Sequence, residues 1–249
     1  MTILLPDLPR KKDEQIKELR RFLNVATLSV FARRDMAVSF RSSSKDLSEA
    51  NIIKANIMVQ LATHITLKRD VPKYNKKKFE DAVEYVLALT KEHERFLGLI
   101  QNAFEEAGVV FVVLPNLPGS NINGATKKVG DKIMLMVNDR RLYSDSFWFT
   151  LFHEIGHIIN GDFGISFDKE KGAQEIAADQ YAENRLSPSG DYQKFVAKKN
   201  FSVSSIRLFA EQIDRDPGIV LGRLQNDKYV RYDDRSMNPL RRKYKVRSA

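Results

Sequence analysis

The sequence predicts an α+β fold. Apolar residues recur at helical spacing through the first hundred residues, a strand-like stretch begins abruptly after Gly108, and helical periodicity returns from Ser144 onward. Strands gathered in one stretch, with helices on both sides, fit α+β better than a regular βαβ alternation.

The elements follow in chain order. Residues 1–10 hold two prolines and read as an irregular lead-in. Residues 13–24 place Ile16, Leu19, Phe22 and Leu23 on one helical stripe. A serine-rich loop at 42–44 leads to a second helix over 47–67. Val71-Pro72 then breaks the chain, because the residue before a proline is driven out of the α region. Residues 76–90 present Phe79, Val83, Val86 and Leu87 on one face, and residues 93–107 present Phe96, Leu97, Ile100 and Phe104. Gly108 stops that helix as a left-handed residue just past its end. Val109–Leu114 is an unbroken β-branched and aromatic run, the mark of a buried strand. Residues 115–124 form a loop rich in Pro, Gly and Asn, and 132–137 a second strand. Helix is expected through most of the remainder. The chain then divides into a helical region at 1–95, a core at 96–198 and a helical C-terminal part with a basic tail at 199–249.

Composition narrows the functions. A chain of 249 residues can bury a substantial core. No apolar run reaches the roughly 18 residues of a membrane span, and the first residues lack an apolar stretch followed by a cleavage site, so a cytoplasmic location is expected. Cysteine is absent, which excludes disulfides, thiolate ligands and a cysteine nucleophile, so any metal must be held by nitrogen and oxygen. The net charge of +9 suits nucleic acid or an acidic protein as partner and says nothing of fold. Its clusters at 10–12, 76–78 and 241–245 read as solvated faces.

One motif carries chemistry. Residues 152–160 read F-H-E-I-G-H-I-I-N. Here His153 and His157 are four apart, so they share a helix face and reach one metal, with the Glu154 carboxylate beside the first of them. Ser144 and Asp145 are N-cap candidates for this helix, and Gly161 is its stop. At about 100° per residue, His157 falls about 40° from His153, while Trp148, Leu151, Phe152, Ile155, Ile158 and Ile159 cover the far side. Two histidines and a carboxylate on one stripe of an otherwise apolar helix are costly to bury without a partner. Gly156 borders the stripe. A mid-helix glycine costs about 1 kcal/mol against alanine, so it points to close approach of another element.

A catalytic zinc takes three protein ligands and leaves a position for water. No third histidine follows, since 158–163 read I-I-N-G-D-F; the downstream acids are Asp162, Asp168, Glu170, Glu175, Asp179 and Glu183. The first three fall in a loop. Glu175 and Asp179 sit four apart in the helical Q-E-I-A-A-D-Q-Y-A-E-N-R-L, on a face with Ala178 and Ala182 that lets two helices meet at Gly156. Glu175 is the favoured third ligand, with Asp179 accepting the second N–H of a zinc-bound histidine; Asp162 and Asp168 are the loop alternatives. Zinc is favoured, and manganese or iron also suit two histidines and a carboxylate. A metal there would acidify a water and polarise a carbonyl, and Glu154 would take the water's proton and pass it to a leaving amine. Tyr181 and Arg185 project away from the Glu175 face, and His64 and His93 read as structural. If 132–137 is an exposed edge strand, Ile133, Leu135 and Val137 mark where an extended peptide would pair; the other reading is an ordinary sheet strand. Residues 119–124 have the frame of a phosphate loop, but Ala125 stands where its lysine must be.

The run F-W-F-T-L-F-H-E-I-G-H-I-I from Phe147, with E-I-A-A-D-Q-Y-A from Glu175, resembles the ImmA/IrrE metallopeptidase family. N-I-N-G-A-T from Asn121, I-R-L-F-A-E-Q-I from Ile206 and P-G-I-V-L-G-R-L-Q from Pro217 extend the likeness across most of the chain after residue 100. The resemblance implies a zincin-like helix pair over a small sheet, with His153, His157 and Glu175 as metal ligands and Glu154 as base. It also implies relief of repression by cleaving or antagonising a repressor of the helix-turn-helix type. The chain begins about where the DNA-binding domain of longer members would end, so either a stand-alone form acting on a separate repressor or the effector half of a two-gene unit is expected. Two rival functions stand beside this zinc endopeptidase. One is a non-catalytic regulatory or toxin–antitoxin-type module with a structural metal. The other is a DNA-binding regulator using residues 203–224. Glu154 favours the peptidase, because a purely structural metal site has no need of that acid.

Overall fold

The computed structural model describes residues 11–32, 48–138, 143–167 and 172–244. The lead-in at 1–10, the serine-rich loop and the loop acids Asp168 and Glu170 lie outside them. Among the described residues before the sheet lie the helices α1 (Lys12–Phe22), α2 (Glu49–Lys68), α3 (Lys76–Ala88) and α4 (Phe96–Glu106). The side chain of Ser48 caps α2 by accepting from the Asn51 N–H, and Asn75 does the same for α3. Gly108 takes φ 79° after α4, a conformation open to glycine alone at low cost, and turns the chain into β1 (Val109–Leu114).

Three more strands follow, β2 (Ile122–Val129), β3 (Lys132–Asn138) and β4 (Gly164–Phe167). β2 begins inside the segment expected to be loop. Its sequence, I-N-G-A-T-K-K-V, has too little apolar alternation to announce a strand. The legible signal was the turn behind it. Val129 pairs with Lys132 across Gly130-Asp131, a two-residue hairpin with Gly130 at φ 60°.

The sheet order is β1-β3-β2-β4, with β1 parallel to β3 and the other neighbours antiparallel. β3 is therefore an interior strand, and the expected exposed edge at Ile133, Leu135 and Val137 is corrected: all three are buried. The reason is visible in K-I-M-L-M-V-N, which is apolar on both faces. Such a strand is suited to the middle of a sheet, where both faces are covered, and would be a liability at an edge. Among the described residues the edge strands are β1 and β4.

Helices cover both faces. α2 lays Ala55, Met58, Val59 and Ala62 on Val110, Val112, Met134 and Met136. On the other face, Phe111, Ile133, Leu135 and Val137 meet Phe79, Val83, Ile100 and Phe104 together with Trp148, Leu151, Phe152 and Ile155 of α5 (Ser144–Asn160). Hydrophobic packing thus crosses residue 95 without interruption. The remaining helices are α6 (Ala173–Leu186), α7 (Ser189–Ala197), α8 (Val203–Gln212) and α9 (Pro217–Asn226). Helices α7–α9 share a third cluster around Phe195, Ile206, Phe209, Val220 and Leu224. No helix among the described residues is long and apolar enough to cross a membrane.

Candidate metal centre

The motif helix α5 starts one residue earlier than its expected caps. Tyr143 occupies the N-cap without a side-chain bond, and Ser144 and Asp145 stand in the first turn. Packing decides this: Asp145 is pressed against α9, where a methyl group on Gly222 would lie 2.6 Å from Asp145 Oδ2. Burial pushes the Asp145 carboxyl above its ordinary range. Gly161 ends the helix at φ 79°, as its sequence position implies.

α5 and α6 lie against each other at Gly156. A methyl group there would stand 3.1 Å from Tyr181 Cβ and 3.2 Å from Ala178 Cα. This close approach brings the two halves of the site together. His153, His157 and Glu175 are all buried, and each offers one donor atom within 4.8 Å of the others. Glu175 Oε2 lies 3.0 Å from His153 Nε2, and Glu175 Oε1 lies 3.3 Å from His157 Nε2; the two Nε2 atoms are 3.1 Å apart. Among the described residues this is the one group of three such side chains able to hold a metal.

Asp179 lies against the His153 ring. Its Oδ1 is 2.8 Å from His153 Nδ1, and since a carboxylate only accepts, Nδ1 must carry the proton. That contact fixes the ring so that Nε2 faces His157 and Glu175. Burial is the largest influence on His153 and disfavours its charge. Asp179, Glu175 and Glu154 together outweigh it and push the pKa up to about 10. For Glu175, burial works upward, and the two histidines overcome it to hold the carboxyl at about 2. The donor set fits a metal. Two imidazole nitrogens and a carboxylate converge from two packed helices, with a further carboxylate orienting one ring. Asp179→Ala is expected to weaken zinc binding by about 10–100-fold without abolishing it, as measured by competition with a chromogenic chelator.

Glu154 is fully buried on the same helix, and strand β2 comes right up to it. A methyl group on Gly124 would lie 2.5 Å from Glu154 Oε1 and 2.6 Å from its Cγ. Gly124 is the site residue missed when residues 115–124 read as loop. Only once β2 is a strand beneath α5 does its lack of a side chain acquire meaning.

The other candidates are placed elsewhere. The Asp162 carboxylate accepts from Gln174 Nε2 at 3.0 Å and is not among the converging donors, so this loop alternative is set aside. Asp168 lies outside the described residues. Arg185 pairs with Glu84, and Tyr181 packs against the core beside Gly156; neither is among the three converging donors. His64 lies beside Phe22, and His93 sits between Asp216 and Tyr244. Helices α8 and α9 flank a tight turn, but Gly218, Ile219, Val220, Leu221 and Leu224 are buried, and α9 packs against α5.

No family model, curated protein or solved structure matches the chain.

Proposed function

We propose that this chain is a zinc-dependent endopeptidase of the ImmA/IrrE type, acting on a cytoplasmic regulatory protein such as a helix-turn-helix repressor. The observation that carries the reading is the convergence of His153, His157 and Glu175, with the buried carboxylate of Glu154 on the same helix as the two histidines. A sheet packed on the motif helix, with the third ligand on a second helix, supports a zincin-like arrangement of the core.

In this reading His153 and His157 through Nε2 and Glu175 through its carboxylate hold the metal. The metal supplies Lewis acidity to water and to the scissile carbonyl. The Glu154 carboxylate accepts a proton from the attacking water and delivers it to the departing amine. Asp179 keeps the His153 ring in register throughout. Gly124 lets the β2 backbone close one side of the Glu154 carboxylate, which limits water around the base. The peptide adds by main-chain pairing to the outer side of β4, which no other strand among the described residues occupies.

The test is cleavage of an internally quenched peptide library by zinc-loaded protein beside Glu154→Gln. We expect turnover to fall by about 10²–10⁴-fold in the variant while zinc content stays unchanged. Equal turnover by the two proteins would remove Glu154 from the chemistry. Bound zinc with no turnover of the library or of purified repressor would move the structural-metal reading to the front.

A further inference from the structure

Away from the histidines, the C-terminal helices close a second concave site. A cavity of about 300 Å³ is lined by Lys91, His93, Arg207, Asp216, Arg241 and Arg242. That volume is at the lower end of small-molecule sites. Four permanent cations face one carboxylate, and the carboxylate is already engaged. Asp216 Oδ1 accepts the Gly218 N–H at 2.8 Å, and Oδ2 lies 3.3 Å from His93 Nε2. Lys91 is paired with Asp214 on the rim. Arg207 donates to the Pro239 carbonyl at 3.5 Å, and among the described residues neither Arg207 nor Arg242 closes an ion pair with a carboxylate, although the Arg242 charge acts on Asp216 across the cavity. Desolvation and then the neighbouring Arg242 charge lower the His93 pKa, against the opposing pull of Asp216 and Glu92. Like charges gathered around a concave, partly desolvated space repel one another and concentrate anions there. Guanidinium groups add a planar fork of donors that matches the oxygens of a phosphate group.

We propose that this cavity binds a small phosphate-bearing anion, held chiefly by Arg207 and Arg242 with Arg241 and Lys91 beside them. A doubly charged oxyanion answers the excess of cations better than a single carboxylate. The cavity wall is continuous with the motif helix. The Arg242 carbonyl accepts the Ser144 N–H at 2.9 Å, and Tyr244 Oη accepts from Trp148 Nε1 at 3.1 Å while lying 3.3 Å from His93 Nδ1. An occupant therefore stabilises the segment that anchors the first turns of α5. This inference stands apart from the metal reading, since it uses none of the metal-centre residues.

The experiment is titration calorimetry of the full metal-free chain at constant ionic strength, with inorganic phosphate in one arm and glycerol phosphate in the other. Imidazole NMR signals report the location. We expect one saturable site that shifts the His93 signals and leaves those of His153 and His157 in place. Arg207→Gln and Arg242→Gln, both exposed and so compatible with folding, should each weaken binding by about tenfold or more. Lys198→Gln, an exposed charge removed elsewhere, should change nothing. Tighter binding of the ester assigns the site to a phosphorylated metabolite, and equal binding assigns it to phosphate itself. Absence of saturable binding in both arms, or equal weakening by Lys198→Gln, would overturn the proposal.

Discussion

Replacing Glu175 by alanine is expected to abolish stoichiometric zinc binding, whereas Glu154→Gln should leave it intact. A structural zinc site is worth roughly 10–16 kcal/mol in small peptides. Loss of one of three protein ligands forfeits on the order of 4 kcal/mol of that, about a thousandfold in affinity. His157→Ala should do the same through the other helix. The neighbouring change differs, because Glu154 shares α5 with both histidines and is not one of the three converging donors. Elemental analysis of the purified variants decides the matter. About one zinc per chain retained by Glu175→Ala would move the third ligand elsewhere. Metal uptake should also depend on pH in a definite direction. In the metal-free cluster His153 keeps its proton up to about pH 10, with Nδ1–H given to Asp179 and Nε2–H facing Glu175. Ligation needs a bare Nε2, so binding releases this proton. Glu175, held at about 2, is already ionised near neutrality and adds nothing to the slope. Apparent zinc affinity should therefore rise about tenfold per pH unit between ~pH 6 and ~8, and fall as the solution is acidified. A flat profile would show that His153 Nε2 carries no proton that ligation has to displace.

Much of this centre was legible in the sequence because its parts lie on helices, where spacing fixes direction. His153 and His157 at i and i+4, Glu175 and Asp179 at i and i+4, and the small residues Gly156 and Ala178 between them define two faces that fit together. The distance between the faces was not legible, but no loop had to be guessed to pair them. The sheet was harder. Val109–Leu114 and β3 declare themselves by continuous apolar side chains, whereas β2 carries Gly124, Thr126, Lys127 and Lys128 and is held by its neighbours more than by its own propensity. β4 is four residues long and offers too few positions for any periodicity. Strand order depends on which edges find partners far along the chain, and local pattern carries little of that. The interior placement of β3 is the exception. Five apolar residues in a row, Ile133 to Val137, cannot alternate between core and water, and this already argued against an edge.

Gly124 offers a test of the site's geometry that needs no substrate. In the wild-type background, Gly124→Ala drives a methyl group to 2.5 Å from Glu154 Oε1, in a region where Glu154 is fully buried and cannot swing into solvent. Overpacking of this kind costs about 1–3 kcal/mol. The closest clash is with Glu154, because the three nearest atoms to that methyl group all belong to its side chain. Glu154→Ala removes them. The double variant should then recover most of the stability lost by Gly124→Ala, giving a coupling of about 1–3 kcal/mol in a double-mutant cycle by urea unfolding. Additive losses would mean that β2 does not approach the motif helix at this point. Zinc content serves as the internal control, since neither substitution touches a donor atom. The wild-type glycine thus fixes how closely β2 can flank the carboxylate. Gly124→Ala should depress turnover by displacing Glu154 even with the metal centre fully formed, the pattern expected of a residue that positions the base without touching substrate.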